Sequence, residues 1–186
     1  MSEIFKPRTL EALKRALEEG FAPKYLFFWG HHPNADGATG KACFSQWFEA
    51  SFEVDGQRYR TAEHYMMAEK ARLFDDATAR ARILASETPA EAKKHGRAVL
   101  GFDDAIWERA RFDVVVRANE AKFSQNLAMR NFLQTTGARV LVEASPVDPV
   151  WGIGLAATDA AAQDPYTWRG LNLLGFALME VRSRLA

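Results

Sequence analysis

The chain has 186 residues, and its 24 lysines and arginines balance its 24 aspartates and glutamates. This balance argues against general binding to a nucleic-acid backbone, which requires an excess of positive charge. Cys43 is the only cysteine, so no intrachain disulfide can form, as is usual in a reducing compartment. The sequence shows neither a signal peptide nor an apolar run of about 20 residues. We therefore expect a cytoplasmic protein that does not span a membrane.

The first third of the chain mixes helix, strand and turn signals. Thr9 and Gly20 can begin and end a short helix. Asp55 and Gly56, between two short β-prone runs, are typical of a β-hairpin. In chain order the predicted elements are a helix over 9–20, a buried strand over 25–29, a loop over 31–41 and a hairpin over 51–59.

The remaining two thirds are mainly helical. Thr61 can cap one helix and Thr88-Pro89 can begin another, while Gly101 interrupts the pattern. The predicted elements are helices over 61–74, over 75–86 and from 88, one long or two abutting helices over 103–134, a strand over 139–144, an irregular segment over 146–169 and a last helix over 170–185. We predict an α+β fold: a helix-dominated single domain with a small antiparallel sheet, over residues 25–186, preceded by an N-terminal helical extension over 1–24.

Glu63 is the first candidate for chemistry. It shares one helix face with Met67 and Lys70, at helical spacing in an otherwise apolar setting. Burial there would raise the pKa of the carboxyl, while the helix N-terminus would favour its charged form. The simpler interpretation, that Glu63 completes a helix cap near Thr61, stays open. His64 points to a different side and is expected to pack or to form hydrogen bonds.

Two groups of basic residues could recognise phosphate. Lys93 and Arg97 are four residues apart on one helix, and Gly96 beside them would let a ligand approach the backbone. Lys122 shares a face of the long helix with polar neighbours. The alternative for both groups is an ordinary solvated helix face.

A loop after the last predicted strand carries further candidates. Asp148 precedes Trp151 and Gly152, and functional side chains are often positioned on such loops. A turn aspartate beside a core tryptophan is the alternative. Asn172 could cap the last helix or contact a ligand hydroxyl. No metal or cofactor is expected, because the sequence shows no ligand-spaced Cys and His and no Gly-rich phosphate loop.

Taken together, these motifs resemble the NADAR superfamily and its YbiA-like N-glycosidases from about Tyr25 onward. Any one of them is weak, whereas their joint order and spacing are specific. The motifs, in the family's order, are Phe44-Ser45-Gln46-Trp47-Phe48, Val54-Asp55-Gly56, Thr61-Ala62-Glu63-His64-Tyr65, Lys70-Ala71, Ala92-Lys93, Gly96-Arg97, Trp107, Arg111, Lys122-Phe123, Glu143-Ala144, Asp148, Trp151-Gly152, Asn172 and Gly175.

The resemblance implies a pocket for a ribosylated base and hydrolysis of its N-glycosidic bond. It implies Glu63, Asp148 and Trp107 as catalytic residues, with Trp107 stacking on the base. The substrate-binding candidates are Lys70, Arg97, Lys122, Trp151, Gly152 and Asn172. The implied partner is a small, phosphorylated ribosylated base from riboflavin biosynthesis.

Two alternatives and two departures accompany this resemblance. Other branches of the family remove ADP-ribose from guanine in nucleic acid, and a module that binds ADP-ribose or NAD without turnover is the third possibility. Many YbiA-like members carry an Asp where this chain has Ile153, and the 31–41 segment is longer than in short bacterial forms. Both departures bear on the substrate more than on the reaction type. The oligomeric state is not predicted.

Overall fold

The computed structural model describes residues 7–186, and the first six residues of the predicted extension lie outside that range. Its helix-rich architecture confirms the predicted α+β class. Within this range the helices are α1 (Leu10–Glu18), α2 (Ala62–Leu73), α3 (Ala77–Ala85), α4 (Pro89–Arg97), α5 (Asp104–Gln125), α6 (Leu127–Thr135) and α7 (Leu173–Arg184). The strands are β1 (Tyr25–Phe28), β2 (Phe52–Val54), β3 (Gln57–Tyr59) and β4 (Val140–Glu143).

Helices α2 and α7 form the centre of the molecule. Nine of the 12 residues of α2 are buried, and so are nine of the 12 residues of α7. A helix that is buried around most of its circumference must be covered on all sides. Helix α2 packs against α3, α4 and α5, and α7 packs against α5 and β4. The N-terminus of α2 and the end of β4 are thereby held in the interior.

The strands form two separate pairs. The hairpin of β2 and β3 is antiparallel, with Asp55 and Gly56 at positive φ in its turn, as predicted. Strands β1 and β4 form a second pair, which is parallel and places Phe28 opposite Glu143. A parallel pair needs a long crossover, and here the helices between the two strands supply it. The antiparallel prediction therefore described only one of the two pairs.

Other boundaries follow the sequence with local differences. The region 103–134 is two abutting helices, because Asn126 leaves helical geometry between α5 and α6. Short 3₁₀ helices at 160–163 and 165–167 interrupt the irregular segment. Helix α7 begins at Leu173 and not at residue 170, because Asn172 takes a left-handed conformation with φ of 54°.

The N-terminal helix packs on the main body. Leu10 and Leu13 of α1 are buried in the principal hydrophobic core. The Tyr166 hydroxyl donates to the Lys14 carbonyl, at 3.2 Å. The boundary between an extension and a domain at residue 25 stays a prediction, since the core is continuous across it.

Candidate active site

A small cavity opens where the N-terminal half of α2 meets α4, the end of β4 and the segment 45–47. Its volume is about 140 Å³. Three carboxylates, three cations and two tryptophans line it, together with apolar and small polar side chains: Glu63, Glu143, Asp148, Lys70, Lys93, Arg97, Trp47 and Trp151. Such a meeting of opposite charges in an enclosed space favours a ligand that is polar and partly anionic.

Glu63 is held in the first turn of α2 with its carboxyl in the cavity. Its backbone N–H donates to the Gln46 carbonyl, and its side chain is only 2% exposed. Oε1 has no hydrogen-bond partner within residues 7–186. Burial raises the pKa of the carboxyl to about 7; Lys93 and a hydrogen bond from the Trp47 side chain oppose this rise, and Asp148 adds to it.

The capping interpretation of Glu63 does not describe this geometry. The cap is made by Thr61, whose hydroxyl accepts a hydrogen bond from the backbone N–H of His64. The His64 ring contacts the Thr61 hydroxyl through Nδ1 and the Ser86 carbonyl through Nε2. His64 is therefore a buried hydrogen-bonding residue, as the sequence predicted, and the Glu63 carboxylate is left for the cavity.

Glu143 and Asp148 approach from the other wall. Glu143 ends β4, and its Oε2 is buried without a hydrogen-bond partner among the residues described. Burial, together with the charges of Asp148 and Glu63, raises the pKa of Glu143 to about 8, and the charge of Lys93 opposes this rise. Asp148 Oδ1 accepts from the backbone N–H groups of Val150 and Trp151, at 2.9 and 2.8 Å. These two bonds fix the Asp148 carboxylate on its loop.

Three cations line the same cavity, Lys70 from α2 and Lys93 and Arg97 from α4. None of Lys70, Lys93 and Arg97 takes part in an ion pair within residues 7–186. Lys70 is half-buried, and burial lowers its pKa. Its Nζ lies 3.9 Å from the Phe102 ring centroid and 5.9 Å from that of Trp107. Three positive groups without carboxylate partners are suited to bind an anion.

A larger apolar cleft lies on the far side of Trp47. It has a volume of about 460 Å³, and Trp47, His31, Pro33, Phe48 and Pro89 are among its lining residues. The rings of His31 and Trp47 lie 5.6 Å apart between centroids, and those of His31 and His32 lie 4.5 Å apart. The loop 31–41 thus contributes an aromatic wall beside the small cavity, and Trp47 is common to both spaces.

The structure brings five of the predicted site residues together and places four elsewhere. Those that line the cavity are Glu63, Asp148, Lys70, Arg97 and Trp151. Those that do not are Trp107, Lys122, Gly152 and Asn172.

The structure places Trp107 and Lys122 outside the lining of the cavity. Trp107 packs against the core, and its ring lies beside the ammonium of Lys70, which lines the cavity. Lys122 is fully buried, and its ammonium donates to the carbonyls of Cys43 and Ser45, at 2.7 and 2.9 Å. Because those bonds occupy it, Lys122 positions the segment that carries Trp47 and does not meet a phosphate.

Asn172 and Gly152 contact the backbone of Glu143 and do not line the cavity. Asn172 Oδ1 accepts from the Glu143 backbone N–H, and Nδ2 donates to the Leu141 carbonyl, each at 2.9 Å. Asn172 is the N-cap residue of α7, but its side chain makes no capping hydrogen bond there and does not line the cavity. A Cβ at Gly152 would lie 2.9 Å from the Glu143 carbonyl oxygen, so glycine is required there by packing. Gly96 is similar, since a Cβ there would collide with Met67, and it leaves no room for a ligand.

Of the charged and tryptophan side chains that line the cavity, three were absent from the predicted site, namely Trp47, Lys93 and Glu143. Each had a sequence signal. Lys93 was recognised as the partner of Arg97 on one face, and Trp47 belonged to a quoted motif. Glu143 is an acidic residue at the end of an apolar strand, where side chains that serve a site are often found.

Ile153 lies in the core and not in the cavity. It is fully buried, and its backbone N–H donates to the Glu143 carbonyl. Among the residues described, no group of three or more His, Cys, Asp or Glu is arranged to hold a metal ion. Within residues 7–186, no helix combines the length and apolar character that crossing a bilayer requires.

The chain belongs to the NADAR domain family, which residues 27–186 match. N-glycosidase R617 of Acanthamoeba polyphaga mimivirus is 42% identical over 164 residues, covering 86% of this chain and 95% of that protein. N-glycosidase YbiA of Escherichia coli is 33% identical over 143 residues, covering 77% and 81%. The NMR structure of E. coli YbiA superposes with a TM-score of 0.70 at 28% identity, over 89% of this chain and 86% of that one.

A third relative is a much longer protein. The riboflavin biosynthesis protein PYRR, chloroplastic, of Zea mays is 37% identical over 132 residues, which are 67% of this chain and 19% of the maize protein. The family and the named glycosidases identify this chain as an enzyme, an N-glycosidase.

Proposed function

We propose that this N-glycosidase hydrolyses the bond between ribose and the amino nitrogen of ribosylaminopyrimidine phosphates, the early intermediates of riboflavin biosynthesis. One observation carries the proposal: the buried Glu63 carboxyl faces the same small cavity as three cations, and within residues 7–186 one oxygen of that carboxyl has no hydrogen-bond partner and the cations form no ion pair. A sugar that develops positive charge at C1′ and carries a phosphate needs both of these features.

Glu63 acts at C1′. As the C1′–N bond lengthens, the ribose gains oxocarbenium character, and a fixed carboxylate stabilises that charge. The same carboxylate can take a proton from the attacking water. Oε1 has no competing hydrogen bond within residues 7–186 and is therefore free for either contact. Asp148, fixed by two backbone bonds on the facing wall, holds the ribose hydroxyls.

The phosphate lies at the cationic rim. Lys70, Lys93 and Arg97 line one side of the cavity, and Arg97 is exposed at its mouth. Guanidinium and ammonium groups bind phosphate oxygens through charge-assisted hydrogen bonds. Trp107 serves this contact indirectly, because it lies beside the Lys70 ammonium.

The base lies against Trp47, in the place that the sequence assigned to Trp107. A cavity of about 140 Å³ is small for a whole nucleotide, since ligand sites commonly measure roughly 300–1,000 Å³. The adjoining cleft adds apolar and aromatic surface, with His31 facing Trp47. A flat pyrimidine can stack there at little entropic cost.

Removal of ADP-ribose from guanine is the second candidate. The cleft of about 460 Å³ favours it, because an adenine ring could occupy the His31–Trp47 wall. The charge balance of 24 basic and 24 acidic residues favours the small substrate, since a nucleic-acid strand needs a basic track. A binder without turnover would have no use for buried carboxyls beside C1′.

The test is a matched pair of assays. Purified protein is incubated with ribosylaminopyrimidine phosphate, or with an oligonucleotide that carries ADP-ribose on guanine, at low and moderate salt. Mass spectrometry should show ribose 5-phosphate release from the first substrate at the higher rate. Efficient removal of ADP-ribose with a steep salt dependence, and no action on the pyrimidine, would reverse the assignment.

A further inference from the structure

We propose that Glu143 is a second catalytic residue, the acid that gives a proton to the departing nitrogen while Glu63 acts at C1′. This inference rests on the proposed function of the cavity. It extends that function by assigning different roles to two carboxyls that line the cavity from different elements, Glu63 from α2 and Glu143 from the end of β4.

The backbone around Glu143 is fixed, while its carboxyl is not engaged. The N–H of Glu143 donates to Asn172 Oδ1, and its carbonyl accepts from the Ile153 N–H, each at 2.9 Å. Its side chain lines the cavity, and Oε2 is buried without a partner within residues 7–186. A buried polar atom that the fold leaves unpaired costs free energy, so its retention indicates a task.

The surroundings of the two glutamates differ in a way that separates their roles. Glu63 is approached by Lys93 and Arg97 and receives a hydrogen bond from Trp47, all of which favour its charged form. Glu143 has Asp148 and Glu63 as its nearest charges besides Lys93, and the two carboxylates favour its protonated form. Charged groups that face this space from all elements around it are Glu63 and Lys70 of α2, Lys93 and Arg97 of α4, and Asp148 of the loop.

The pKa values agree with this division. They are raised to about 7 for Glu63 and to about 8 for Glu143. The larger rise belongs to Glu143, so Glu143 keeps its proton more readily than Glu63 does. Pairs of titratable groups whose surroundings separate their pKa values are typical of acid and base partners.

The reaction balances with these two groups alone. The C1′–N bond breaks, its electron pair passes to the nitrogen, and the nitrogen takes the Glu143 proton. Water adds to C1′ and gives one proton to the Glu63 carboxylate. The products are the free sugar phosphate and the aminopyrimidine, and transfer of the proton from Glu63 to Glu143 restores the resting enzyme. An amino group leaves poorly as an anion, so the proton from Glu143 should accelerate cleavage of the C1′–N bond.

The experiment follows the pH profile of Glu143→Gln. Wild-type turnover of ribosylaminopyrimidine phosphate should be bell-shaped, with an optimum between about pH 7 and 8. Glu143→Gln should lower kcat by about 100-fold with little change in KM, and should remove the alkaline limb while keeping the acid limb. Exposed Glu53→Gln, away from the cavity, should behave as wild type.

Three outcomes separate the possible failures. An alkaline limb that persists in Glu143→Gln, or a loss seen only in KM, would overturn the acid role. A variant that melts no lower than the wild type and binds ribose 5-phosphate normally shows that the loss is chemical. If wild type itself does not release ribose 5-phosphate, the proposed substrate fails. The same variants are then compared on ADP-ribosylated guanine, whose departing nitrogen also needs a proton, and the acid role again stands or falls on the alkaline limb.

Discussion

Two sets of polar residues in the interior of this enzyme differ in whether their hydrogen-bonding atoms have partners. Lys122 and Asn172 are fully buried, and their donors and acceptors meet backbone groups of the segment before α2 and of β4. Glu63 is also buried and Glu143 is half-buried, yet each keeps one buried oxygen without a partner within residues 7–186. A satisfied polar group stabilises a fold, whereas an unsatisfied one reduces stability unless a ligand completes it. The contrast separates the scaffold from the site.

Glu63→Gln gives the largest expected effect. The substitution is nearly isosteric and removes the charge that stabilises the oxocarbenium ion. We expect kcat to fall by at least about 100-fold, about 3 kcal/mol or more in the transition state. Steady-state assays across the pH range should show the loss at every pH, unlike that of Glu143→Gln. Turnover close to wild type would exclude Glu63 as the central carboxylate.

Lys122→Met probes the scaffold side. It leaves the Cys43 and Ser45 carbonyls without their donor in the interior. We expect a loss of about 3 kcal/mol in the free energy of unfolding. Urea titration measures the loss, and Lys24→Met, at an exposed lysine, is the matched control. Unchanged stability together with a raised KM for the phosphorylated substrate would indicate that Lys122 contacts the ligand.

Replacing either of the site glutamates should increase the free energy of unfolding at high pH, whereas Lys122→Met should decrease it. Their folded-state pKa values lie above the ordinary glutamate value, so the folded protein holds the proton more tightly than the unfolded chain does. The free energy of unfolding is not reduced by these two groups below about pH 4.5, and it falls as the pH rises through about 7 and 8, where they must ionise in the folded protein. At pH 8.5, Glu63→Gln or Glu143→Gln should stabilise the protein by about 2 kcal/mol, a gain absent at pH 5.

Thermal melts of these variants at the two pH values make the measurement, with Glu53→Gln as control. A variant that is destabilised at pH 8.5 would show that its carboxylate has a structural partner, and the contrast between site and scaffold would then fail for that residue.

Arg97→Ala should have a smaller and selective effect. Arg97 lies exposed at the cationic rim, so its removal leaves the fold intact. We expect KM for the phosphorylated substrate to rise about tenfold, about 1.4 kcal/mol, and to change little for the dephosphorylated nucleoside. The neighbouring exposed Lys94→Ala, which does not line the cavity, is the control. An equal loss on both substrates would indicate a structural role.

Removal of metal should have the smallest effect. We predict that dialysis against EDTA leaves kcat/KM unchanged, because the proposed chemistry uses carboxyls and cations of the chain alone. Activity that is lost and then restored by zinc or magnesium would contradict this mechanism.

The sequence predicted what depends on local signals. The Asp55-Gly56 hairpin and the Thr61 cap are determined by neighbouring residues, and both formed as expected. The direction of a lysine or asparagine side chain depends on partners far along the chain. Lys122 bonds to residues almost 80 positions earlier, and Asn172 to β4. No local pattern carries that information, so both were assigned to the ligand.

The cavity itself was predicted in part for the same reason. Helical spacing predicted that Glu63 shares a helix face with Lys70 and that Arg97 shares another with Lys93, and all four residues line the cavity. Glu143 had its position at a strand end and its place among the family motifs, but its pairing with Phe28 of β1 joins residues that are far apart in the chain. The family motifs named the residues in chain order, but only the structure shows which of them lie together in the cavity.

The bond between Asn172 and the Glu143 backbone also concerns how the enzyme is made. Strand β4 finds its parallel partner near the start of the chain, and the residue that locks its end lies just before the last helix. Contacts of such sequence separation close large loops and form slowly. A chain still emerging from the ribosome can build the α2–α4 region, but it cannot complete the cavity until α7 has been synthesised. Hydrolysis should therefore begin only with the finished protein, and a truncation that removes α7 should fail in catalysis even where its helical content survives.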